Sequence, residues 1–192
     1  VFACLFIGVT DGGISGYCGG AVNNIMMRFL EIVNGIPYLI IVILMMTIMK
    51  AGITSMIVAY VTVGWVGMAR LVRGQIISLK EQEFVMAAHA MGASGTRIIA
   101  RHLVPNILSV VIINITLAVP SAIFTEAFLS FIGLGVPIPN TSWGVLAQEG
   151  VSKMQIYPSE LIIPALFISV TMLSFNLLGD SLRDAFDPKL RT

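Results

Sequence analysis

Four windows of this 192-residue chain contain no charged side chain: Ile32 to Met49, Ala51 to Ala69, Asn106 to Thr125 and Leu161 to Gly179. A helix that crosses a bilayer needs roughly 20 mainly apolar residues, each adding about 1.5 Å of rise. A lysine or arginine at the centre of such a helix costs roughly 2.5–3.5 kcal/mol on insertion, so charge-free windows of this length carry information. A single soluble core has no interior large enough for four of them. Composition points the same way, with 57% hydrophobic and 11% charged residues. An average globular chain has about 25% charged residues, enough to cover a wet surface. The opening stretch from Val1 to Thr10 is also uncharged, and no basic segment precedes it as in a signal peptide. It reads as the interior of a further span, with an earlier span missing. The expected fold is all-α and integral to the membrane. It forms one domain over 1–192, with five spans at about 1–19, 32–49, 51–69, 106–125 and 161–179.

The remaining segments alternate sides. Segments 20–31, 70–104 and 180–192 hold nine of the eleven Lys and Arg residues, whereas the turn near 50 and the loop 126–159 hold only Lys50 and Lys153. The positive-inside bias therefore places 70–105 and the C-terminus in the cytoplasm and 126–159 outside. The tight turn between the second and third spans is expected at Lys50-Ala51-Gly52, with Gly52 available for it. A net charge of +1 gives no reason to expect a nucleic-acid partner. Cys4 and Cys18 form no CxxC or zinc-ligand pattern, and His89 and His102 do not suggest a metal site. No GxxxxGK[ST] loop occurs, so the chain has no ATPase site of its own, and no cofactor is expected.

Gly8, Gly12, Gly16 and Gly20 recur every four residues. Such a stripe lets a second helix approach closely, where dispersion packing drives association in lipid. Asp11 lies on the same helix. An ionisable group at membrane depth is a candidate pathway residue; alternatively it lies close enough to the cytoplasmic end for water to reach it. Pro37, Pro120 and Pro164 fall in or near spans and favour local irregularity.

Segment 70–105 is too long for a simple connector. Met86-Ala87-Ala88-His89-Ala90-Met91-Gly92 supplies small residues and then a glycine suited to ending a helix, and Ser94 suits the start of another. A short helix of small residues fits a groove on a partner; a plain solvated loop is the alternative. Ala87, Ala88, Gly92 and Pro105 resemble, in spacing, the EAA loop of bacterial ATP-binding-cassette importer permeases, with Met86 where that pattern has Glu. Three further stretches are similar to the dipeptide/oligopeptide/nickel branch of that family. They are Glu126 to Gly135 with Pro137, Pro139 and Ser142-Trp143-Gly144; Asn176 to Pro188 with its Gly179-Asp180-Ser181-Leu182-Arg183-Asp184 core; and Gly16-Tyr17-Cys18-Gly19-Gly20 with Arg28. The resemblance is greatest to the second permease subunit. It implies a type I importer permease fold in a bacterial or archaeal inner membrane. It also implies a second permease subunit, two cytoplasmic ATP-binding subunits and an external substrate-binding protein as partners, and peptides or nickel as cargo. In that setting Met86, Ala87, Ala88, Gly92 and Pro105 would form the surface that couples to the ATPase. A secondary transporter or channel is the competing class, although no inverted repeat supports it.

Overall fold

A computed structural model describes residues 1–50, 52–137 and 140–186. Ala51, Pro139 and the tail from Asp187 through Pro188, Lys189 and Arg191 lie outside the described residues. Every regular element among the described residues is helical. In order these are α1 (Phe2–Cys18), α2 (Gly20–Asn34), α3 (Tyr38–Met49), α4 (Ile53–Gly64), α5 (Val66–Leu79), α6 (Glu83–Ala90), α7 (Gly95–Ile98), α8 (Val104–Asn106), α9 (Leu108–Leu129), α10 (Trp143–Lys153) and α11 (Ser159–Phe186). Two π-helical turns, Ile99–Leu103 and Ser130–Leu134, lead into α8 and out of α9.

Three helices are individually long and apolar enough to cross a membrane: Ile53–Leu79, Leu108–Leu134 and Ser159–Phe186. A fourth crossing would need α2 and α3 to act together, and α1 is a shorter apolar helix of 17 residues. The five expected spans thus correspond to helices of unequal length. Pro37 separates α2 from α3. It has no N–H to donate, and its ring disfavours helical backbone at Ile36. The α2 helix stops ahead of it, with Gly35 N–H donating to Glu31 and Ile32 carbonyls. In contrast, Pro120 and Pro164 sit inside continuous helices.

Residues 20–34 are helical because their polarity repeats with helical period. Asn24, Arg28 and Glu31 fall on one side, and Val22, Ile25, Phe29 and Ile32 on another. The helix that begins at Ile53 does not stop at Ala69 but runs to Leu79, so Arg70 and Arg73 are helical residues. At the turn before α4, Lys50 rather than Gly52 takes a positive φ, 67°.

The chain divides into two compact units, 1–37 with 61–114, and 38–60 with 115–192. In the first unit α1 and α5 run parallel in close contact, and α2 returns antiparallel beside α5. Its interior includes Leu30, Val66, Ala69, Val72, Ile76, Val85 and Ile98. In the second, α10 folds back on α11. A Cβ at Gly150 would come within 2.7 Å of the Glu160 carbonyl, and the Trp143 and Phe167 rings stack with centroids 5.8 Å apart.

Candidate functional site: the loop helix and its glycine-packed base

The loop after α5 is built around one short helix. Gln82 is extended, and Glu83 opens α6. Val85 and Ala88, one turn apart, point inward and are almost fully buried. Phe84, Met86 and Met91 are 40%, 56% and 82% exposed, and Ala87 and Ala90 lie on the same open side. The exposed face formed by these residues is thus apolar and shallow. Ala88 is not part of it, because that methyl fills the loop's own core.

Gly92 ends the helix by a specific device. Its φ is +79°, a conformation that costs a residue with a Cβ about 1–2 kcal/mol. The Ala93 N–H donates to the Ala88 carbonyl (3.1 Å) and the Gly92 N–H to the His89 carbonyl (2.9 Å), the paired bonds of a Schellman cap. Nothing lies within 4 Å of a Cβ at Gly92, so its role is conformational. Pro105 is exposed in α8, beside the π-helical turn, where the missing proline donor costs little.

The loop is seated on α1. A Cβ at Gly95 would come 2.9 Å from Cε1 of Tyr17, and one at Gly13 would come 3.3 Å from the Ile99 side chain. Glycine at both positions lets the loop backbone and α1 meet at contact distance. Farther along α1, a Cβ at Gly8 would meet Met68 Cβ at 2.7 Å, at Gly12 Val72 Cβ at 2.8 Å, and at Gly16 Ile76 Cβ at 2.9 Å. The stripe therefore joins α1 to α5 over three successive turns. Gly20 lies outside this contact. Helix α1 ends at Cys18, the positive φ of Gly19 turns the chain, and nothing lies within 4 Å of a Cβ at Gly20. Asp11 is on α1 between these glycines; its Oδ2 is buried and has no hydrogen-bond partner among the described residues.

The second unit explains the Glu126–Gly144 stretch. Gly133 has φ +84° inside the π-helical turn, and Ser130 Oγ donates to Glu126 Oε1 at 2.7 Å. Ser142 caps α10, its Oγ accepting from Val145 N–H at 3.2 Å. A Cβ at Gly144 would press 2.6 Å from Ala127 Cα, so this glycine is required for α10 to lie on α9. Glu126, Trp143 and Leu146 line an open cavity of about 560 Å³. Among the described residues no cluster of His, Cys, Asp and Glu could hold a metal ion.

Sequence reading missed Phe84 on the loop helix, gave Met91 at its end no surface role, and missed the Tyr17–Gly95 contact. The first pair had a signal, since both are large apolar residues beside a run of alanines. The second had none, because Tyr17 and Gly95 lie far apart in sequence.

Several apolar helices joined by a loop carrying one short exposed helix define a multi-pass, all-helical membrane protein. The chain belongs to the binding-protein-dependent transport system inner membrane component family, which it matches over residues 8–192. It is 49% identical over 187 residues to the oligopeptide transport system permease protein OppC of Bacillus subtilis, covering 97% of this chain and 61% of that protein. It is 50% identical over 186 residues to the dipeptide transport system permease protein DppC of the same organism, covering 96% and 58%. A glutathione transport system permease protein, GsiD of Pectobacterium atrosepticum, is 38% identical over 192 residues, covering 100% and 64%. The chain thus spans about three fifths of the length of these relatives.

Proposed function

We propose that this chain is the membrane-spanning part of an ATP-driven importer subunit that carries peptides. The observation that carries this reading is a family match over residues 8–192, together with an exposed apolar helix held on a glycine-packed base. Peptides are preferred to nickel because the three relatives above are named for oligopeptides, dipeptides and glutathione, itself a small peptide.

In this reading Phe84, Met86, Ala87 and Met91 dock on an ATP-binding subunit, while Ala88, Gly92 and Pro105 keep the helix in place. ATP-driven closure of two such subunits moves the loop. The Tyr17–Gly95 and glycine-stripe contacts make α1 and α5 follow as one body, a rigid-element route to alternating access. The partners are a second permease subunit, two ATP-binding subunits and an external binding protein. The nine-to-two charge bias supports a cytoplasmic loop and C-terminus. Asp11, with a buried unpartnered oxygen, is the pathway candidate.

The test is uptake of a labelled dipeptide into vesicles holding the complete transporter. Uptake should require ATP, and Ala87→Trp, on the exposed side of the loop helix, should abolish it while ATP hydrolysis by the ATP-binding subunits persists. Uptake driven by an ion gradient alone would overturn the reading.

A further inference from the structure

Between α2 and α5 lies a polar cleft of about 830 Å³, lined by Asn23, Arg28, Glu31, Arg70 and Arg73 among others. Its charges do not balance. Arg28 pairs with Glu31 at 2.8 Å on the same helix. Arg73 donates through Nε to Oδ1 of Asn23, a neutral acceptor. Arg70 has no ion-pair partner among the described residues. Three guanidinium groups therefore share one concave site with a single carboxylate, which favours an anion able to take several N–H donors at once.

Two further observations identify the kind of anion. The first is depth. The charge-free window of membrane-spanning length ends at Ala69, and Arg70 and Arg73 are the first charged residues after it. They therefore stand where the apolar run meets the headgroups. The second is the neighbouring surface. On α2, Ile25 and Ile32 lie one turn below and above Arg28, and with Val22 and Phe29 they form an exposed apolar stripe. A free phosphate ion would use the cleft and leave the stripe bare. A molecule with a phosphate head and hydrocarbon tails would use both.

We propose that this cleft is a headgroup site for an anionic phospholipid, with the phosphodiester held by Arg28, Arg70 and Arg73 and an acyl chain lying along Ile25 and Ile32. Basic pockets between membrane helices are suited to such headgroups. The site is independent of the cargo and of the loop helix.

The experiment titrates the full-length protein, purified in a neutral detergent, with phosphatidylglycerol, phosphatidylcholine or inorganic phosphate, and counts bound lipid by native mass spectrometry. Phosphatidylglycerol should bind saturably. Each arginine replaced by glutamine should weaken it about fivefold, so Arg70→Gln with Arg73→Gln should weaken it about 25-fold. Arg70→Lys with Arg73→Lys should retain most of the affinity, and Arg97→Gln in α7 should change nothing. Should the double glutamine variant fail to fold, Arg28→Gln, exposed and paired only within its own helix, supplies the fivefold loss. The proposal is overturned by equal binding of phosphatidylcholine, by undiminished phosphatidylglycerol binding in the glutamine variants, or by millimolar phosphate displacing the lipid completely.

Discussion

Replacing Gly12 by alanine should loosen the α1–α5 pair, and the geometry sets the size of the effect. The new Cβ would lie 2.8 Å from Val72 Cβ and 3.0 Å from the Arg73 backbone nitrogen, and closer still to the Ala69 carbonyl oxygen. Ordinary contact begins near 3.4 Å. The carbonyl oxygen is the nearest obstacle, so the helices must part by about 1 Å at this level, and two of the three obstacles are backbone atoms that cannot rotate away. Overpacking of this kind costs about 1–3 kcal/mol. Against it stands the better helix propensity of alanine, worth about 0.8–1.0 kcal/mol. The clash wins, leaving a net loss of about 1 kcal/mol. Gly67 and Gly74 supply the control, since both lie in α5 and nothing is within 4 Å of a Cβ at either. Alanine there should stabilise by about 0.5–1 kcal/mol. Unfolding of purified protein in mixed micelles titrated with dodecyl sulfate would read all three variants. If Gly12→Ala stabilised as much as Gly74→Ala, the packing argument would fail.

Other substitutions test other parts of the structure. Gly92→Ala should destabilise the loop by about 1 kcal/mol through its positive φ, visible as faster amide exchange in α6, and Gly92→Asn should recover part of the loss. Ser142→Ala removes the α10 cap and should cost about 1 kcal/mol in thermal unfolding. Ala88→Phe should lower stability because that position is buried, whereas Ala87→Phe should leave stability unchanged and impair ATP-dependent uptake; equal stability losses would contradict the two-faced helix. The exposed Lys153 ammonium has its pKa raised above the usual lysine value by the hydrogen bond and charge of Glu160. The pair's contribution is intact below the ordinary lysine pKa and is lost as pH rises through the raised one. A melting series through that range should flatten in Lys153→Met, and a wild-type series already flat there would show that the pair contributes nothing.

The apolar helices were legible because a charge-free run answers directly to the cost of charge in hydrocarbon. The α1 stripe was legible at Gly8, Gly12 and Gly16 because a four-residue period survives any detail of the partner. Gly20 was not, since a periodic pattern does not show where a helix stops. Helix α2 was hidden by its own polarity: Asn23, Asn24, Arg28 and Glu31 look like a loop when only charge-free windows are sought, although their spacing is helical. On the loop, small residues marked the helix but not its two faces. Ala87 and Ala88 are chemically identical, and only the position of Val85 one turn earlier tells which of them is buried. Arg70 and Arg73 counted toward the charge bias, but their meeting with Asn23 and Arg28 depends on α2 folding back along α5.

The stripe also constrains the order in which the protein can be assembled. Gly8 meets Met68, Gly12 meets Val72 and Gly16 meets Ile76, each across 60 residues of chain. During synthesis α1 is therefore made with its glycine face unpartnered, and it stays so while everything up to α5 emerges. Closing such distant contacts is slow compared with forming local helices. A ribosome stalled before Val66 would leave in the membrane a helix whose most adhesive surface is still open, available to any neighbour with a groove of matching width.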